Sequence, residues 1–77
     1  MTTIIEIDRN DYTIYKNRKL IKKINDNLAN DLWDLARDLS DPIAKNSIWV
    51  RKGSSIHSEF HLSDNAINEF IAKIEAI

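Results

Sequence analysis

Residues 11–24, DYTIYKNRKLIKKI, decide the fold, because they read either as two strands or as the front of a long helix. In the first reading, runs rich in tyrosine and isoleucine flank the tetrad KNRK. Asn17 suits the left-handed backbone of a tight turn. In the second, a helix begins at Asn17, since Ile21, Ile24, Leu28, Leu32, Leu35 and Leu39 keep helical spacing. That helix would gather Arg18, Lys19, Lys22 and Lys23 at the positive end of its own dipole. It would also hold Asn25, Asp26 and Asn27 in mid-helix, where such residues are poor formers and good caps. The hairpin is therefore the better reading, followed by a helix from about Asn27.

Upstream, TIIEI is short, β-branched and strand-like. Downstream, Leu28, Leu32, Leu35 and Leu39 form an apolar helical stripe. Asp26 is the expected cap of that helix, and Pro42 ends it. The next segment, NSIWVRKGSSIHSEFHL at 46–62, alternates with period two on both sides of KGSS, the pattern of a second hairpin. A loop of three residues, Gly53 to Ser55, or of five, pairs position 50 with 58 and 48 with 60. Ile48, Val50, Ile56, Phe60 and Leu62 then share an apolar face, which a two-residue loop would mix. Ser63 is the expected N-cap of a last helix, with Leu62 stapled onto Ile67. Ile67, Phe70, Ile71, Ile74 and Ile77 form its stripe. The predicted order is βββαββα, or ββαββα under the rival reading. The fold class is α+β, a small antiparallel sheet built from hairpins with two amphipathic helices on one face.

Seventy-seven residues make one domain, 1–77, near the lower limit for a single unassisted core. Read from Met1, the chain is expected to be a complete small gene product. Its first ten residues carry acids and no long apolar run, unlike a signal peptide. No stretch approaches the ~18 apolar residues of a membrane span. The absence of cysteine removes disulfides and thiolate metal sites and fits a reducing, cytoplasmic location.

The net charge of −1 hides a bipolar distribution. Lys16, Arg18, Lys19, Lys22 and Lys23 cluster without an intervening acid. Asp31, Asp34 and Asp38, flanked by Asp26 and Asp41, form an acidic stripe interrupted only by Arg37.

Catalysis is not expected. His57, Glu59 and His61 resemble a ligand set, but four residues of strand span roughly 13 Å, too far for both imidazoles to reach one ion. No elbow motif surrounds any serine, and a single glycine cannot build a phosphate-cradling loop. Neither a metal nor a cofactor is implied. Binding remains, and three surfaces compete for it.

The first is the polar face of the second hairpin, Trp49, Arg51, His57, Glu59 and His61, in which Trp and Arg are the typical anchors of protein interfaces. The second is the stripe Asp31–Asp34–Asp38, able to steer a basic partner. The third is the basic hairpin of Lys16, Arg18, Lys19, Lys22 and Lys23, able to contact nucleic-acid phosphates. A homodimer through the exposed sheet face or Trp33 is a further alternative. The leading expectation is a stoichiometric inhibitor or modulator of a protein or nucleoprotein complex, with a phage or other mobile element as the usual source of such chains.

IWVRKGSS at 48–55, with its following strand and helix, resembles the hairpin of the small damage-inducible DinI-like proteins, which modulate a recombinase filament. The likeness spans about a third of the chain. The acidic, tryptophan-containing end of that family's last helix has no counterpart here. The N-terminal hairpin, as read here, also has no place in that fold.

Overall fold

The structure is a computed structural model that describes residues 2–77. Five strands and two helices follow in the order β1 (Ile4–Asp8), β2 (Thr13–Lys16), β3 (Lys19–Lys23), α1 (Asp26–Leu39), β4 (Asn46–Lys52), β5 (Ser55–Leu62) and α2 (Asp64–Glu75). Residues 11–24 are thus a hairpin rather than the start of a helix. Asn17 and Arg18 both take positive φ, 48° and 70°, as a two-residue turn of type I′ requires. The Asn17 side chain also accepts from the Ile4 amide at 2.8 Å, fastening the turn to the first strand.

The sheet order is β3-β2-β1-β4-β5. It is mixed rather than wholly antiparallel: β1 and β4 run parallel in the middle, and every other pair is antiparallel. The reason lies in the connection. Between β1 and β4 the chain makes the β2–β3 hairpin and then crosses the sheet as α1, so it re-enters beside β1 in the same direction.

One face of this sheet is buried. Ile5 and Ile7 of β1, Ile14 of β2, Ile48 and Val50 of β4 and Leu62 of β5 pack with Ala29, Leu32 and Ala36 of α1 and Ile67, Phe70 and Ile74 of α2. The α1 surface against the sheet is centred on Ala29, Leu32 and Ala36, with Leu28, Leu35 and Leu39 half-buried at its margins. The two alanines let the helix axis approach the strands. α1 begins one residue before the expected position, and its N-cap is Asn25, which accepts from the Leu28 amide. Asp26 is instead the first helical residue. Ser63 caps α2 as expected, and Leu62 and Ile67 are both buried beside it.

The second hairpin keeps the predicted register, Val50 opposite Ser58 and Ile48 opposite Phe60. Its loop, however, has two residues, Gly53 and Ser54, between the pair Lys52 and Ser55. A bulge then inserts one extra residue, His57, between the pairs Arg51–Ile56 and Val50–Ser58. The bulge restores the frame beyond it and leaves Ile56 on the outer face, 55% exposed, rather than in the core.

Candidate functional site

The other sheet face carries no helix. Directly opposed residues share a face, so the pairs Glu6–Trp49, Asp8–Arg51, Glu6–Tyr15, Trp49–Glu59 and Tyr15–Leu20 define it across all five strands. Its centre is an ionic cluster. Arg51 Nε donates to Glu6 Oε2 at 3.1 Å, and Nη1 donates to Asp8 Oδ2 at 2.6 Å and to the Gly53 carbonyl at 2.8 Å. The guanidinium also lies over the Tyr15 ring, 5.4 Å from its centroid. Asp8 is buried, and burial by itself raises its pKa. The backbone N–H groups of Asn10 and Gly53, the Arg51 charge and the Asp11 N–H outweigh burial and hold the carboxyl below its ordinary value. Arg51 is thus a structural tie between β1 and β4, and its charge is already answered within the fold.

Trp49 stands beside this cluster, half-buried, and donates Nε1 to Glu59 Oε2 at 3.0 Å. The same oxygen lies 3.7 Å from His61 Nε2. Ile4, Glu6, Asn17, Arg18 and Trp49 enclose a dimple of about 200 Å³ on this face. Leu20, 48% exposed, and Ile56 add apolar surface at its edges.

The polar quintet read from alternation is not one constellation. Trp49, Arg51, Glu59 and His61 share the helix-free face. His57 sits at the bulge and lines a different cavity, about 420 Å³, with Arg9, Tyr12, Asp26, Trp33 and Ser58, to which Arg51 also contributes. That cavity is bounded by groups already committed to one another. Arg9 bonds Asp26 and Asn30, both at 2.8 Å, and the Arg9 hydrogen bond holds the Asp26 carboxyl below its usual range. Trp33 donates to Ser58 Oγ, meets Phe60 edge to face at 5.7 Å and is covered by Arg37 at 4.9 Å. Trp33 is therefore an outlying part of the core, half-buried at the cavity wall.

Asp31, Asp34 and Asp38 are all exposed on α1, but Arg37 lies 3.4 Å from Asp34 and 3.8 Å from Asp38. The five cations of the first hairpin are divided. Lys16, Lys19 and Lys22 oppose inward-facing residues or one another and lie on the helix side; Lys23 opposes Thr13 on the helix-free side; Arg18 borders the dimple beside Trp49. Three of the five cations thus share the helix side of the ribbon, and the other two lie elsewhere.

Glu6, Asp8, Tyr15 and Ile4 were not singled out by sequence. The signal for the first two is IEID itself, acids alternating with buried isoleucines, which demands a cation on the acids' face. Among the described residues no group of three or more His, Asp or Glu is arranged to hold a metal ion, and no helix is long and apolar enough to cross a membrane.

Comparison with family models, curated proteins and solved structures gives no match. The candidate site therefore rests on its own geometry.

Proposed function

We propose that the protein is a non-catalytic module that acts by binding one macromolecular partner, a protein or nucleoprotein complex, in stoichiometric amounts through its helix-free sheet face, and so inhibits or modulates it. The observation that carries this reading is the dimple beside Trp49. Its tryptophan is hydrogen-bonded to Glu59, its second wall is Ile4, and Arg18 stands at its border. Such a concavity accepts one apolar side chain, and aromatic anchors of this kind dominate interface energetics. The pairing of Arg51 with Glu6 and Asp8 supports the same reading, since a partner covering the face need not supply a counter-charge to the guanidinium. The exposed carboxylates of α1 add a longer-range field that favours approach of a basic surface.

Photo-crosslinking in the native host tests it. A photoreactive side chain at position 20 or 56, on the helix-free face, should capture the same partner, whereas positions 31 and 68, on the helix exteriors, should not. Trp49→Ala should weaken the captured complex by about tenfold or more while the protein stays folded. Crosslinks from positions 31 and 68 alone would place the interface on the helices and remove this reading.

A further inference from the structure

A second concave surface lies on the opposite side of the sheet, where the β2–β3 ribbon extends past the helices. β3 contributes no buried residue. A bulge between the pairs Ile14–Lys22 and Tyr15–Leu20 inserts Ile21 and turns it toward α2. There it lines a groove of about 410 Å³ with Ile71, Ile74, Lys16, Lys22 and Glu75. The floor is apolar, and Ile21 remains 37% exposed on it. The ribbon-side rim is cationic. Lys16 opposes the buried Ile5, Lys19 opposes Lys16, and Lys22 opposes the buried Ile14, so all three stand on the groove's side of the ribbon. Among the described residues, no carboxylate lies within ion-pair distance of Lys16 or Lys19. Lys22 bonds the Ile77 carbonyl, and Glu75 is the one acid in the lining.

We propose that this groove docks an acidic amphipathic helix of a partner protein, its apolar stripe on Ile21 and Ile71 and its flanking carboxylates against Lys16 and Lys19. Both halves of the groove argue for that occupant. A nucleic acid would use the lysines but leave Ile21 and Ile71 without a counterpart, Ile74 being already buried in the core. A second copy of the chain offers the acids of α1, yet Asn27, Asn30, Asp31, Asp34 and Asp38 present no apolar stripe among them. Pairing of β3 with another β3 would bring Lys19, Lys22 and Lys23 against their own kind, which like-charge repulsion opposes. Helix-in-groove recognition, with apolar anchors at helical spacing and charged flanks, answers floor and rim together.

The probe is a synthetic peptide with leucines along one helical face and glutamates on both flanks, set against the same peptide with lysines in place of the glutamates. Titrated into the ¹⁵N-labelled full chain, the glutamate peptide should shift amides of residues 16–22 and 71–75, and the lysine peptide should shift none. Lys16→Glu combined with Lys19→Glu should weaken binding by about tenfold or more, as should Ile21→Glu, and salt should weaken the wild type. Both variants alter exposed positions and should retain the wild-type spectrum elsewhere. Absence of shifts, equal response to both peptides, or shifts centred on Trp49 would overturn the proposal. So would sedimentation showing a dimer that Ile21→Glu abolishes, or preferential binding to phosphatidylserine vesicles.

Discussion

Arg51 shows how a single residue changes meaning between sequence and structure. Beside Trp49 in IWVRKG it reads as an exposed anchor, but its partners are Glu6 and Asp8, more than forty residues earlier on a parallel strand. No local pattern reports such a pairing, whereas the shared face of Trp49 and Arg51 follows directly from alternation. The cluster also has a pH signature. Asp8 is more acidic in the folded chain than the ~3.9 of an unfolded aspartate, so it contributes stability that is fully present above about pH 4 and lost as pH falls through its lowered folded value. Asp8→Asn should cost about 2 kcal/mol near neutral pH, the usual worth of a hydrogen bond to a charged group. Urea unfolding at a series of pH values should show that deficit shrinking below about pH 4. A deficit that stays constant into acid would mean that another carboxylate carries the acid limb.

At the scale of elements, the first turn and the cap of α2 were legible, and the cap of α1 fell one residue away from its expected place. The bulges and the second loop were not legible. Asn17 announces its turn, and Ser63 its helix, because each residue supplies a conformation or an acceptor that few others offer. The bulges at Ile21 and His57 each shift a strand by one residue, and period-two patterning is equally satisfied before and after such a step. Ile56 consequently looked like core and is exposed, while His57 left the face of Glu59 and His61. For α1 the leucine stripe located the correct side of the helix, but not that Ala29 and Ala36 would face the sheet most closely, since alanine carries little weight in a hydropathy pattern. The first turn retains an unmet preference. Arg18 holds φ of 70°, where a Cβ costs about 1–2 kcal/mol and glycine none. Arg18→Gly should raise stability by about 1 kcal/mol, read as a higher midpoint in thermal or urea unfolding. A fall in stability would indicate that the arginine side chain contributes more at the dimple than the turn loses in strain.

For the molecule as a whole, the α+β class and the element order follow from the two hairpins and the two amphipathic helices, while the strand order depends on a contact between distant segments. Placing β1 beside β4 puts the two most buried strands at the centre of the sheet, under both helices, and leaves β3 and β5 at its edges. The edges differ. β5 retains Leu62 in the core and lends its His61 carbonyl to the Asp41 amide, whereas β3 buries nothing. Opening should therefore proceed in steps, with β3 separating at low cost while the β1–β4 pair releases only on global unfolding. Native-state hydrogen exchange should find the slowest amides in β1 and β4 and much faster ones in β3. Ile48→Val, which removes one buried methylene, should cost about 1 kcal/mol and speed the slow amides about fivefold. The β3 amides should keep their rates, because their exchange does not pass through loss of the core. Amides of β3 that exchange as slowly as those of β1, and accelerate with them in Ile48→Val, would show that the ribbon is locked to the core and the groove beside α2 is part of one rigid body.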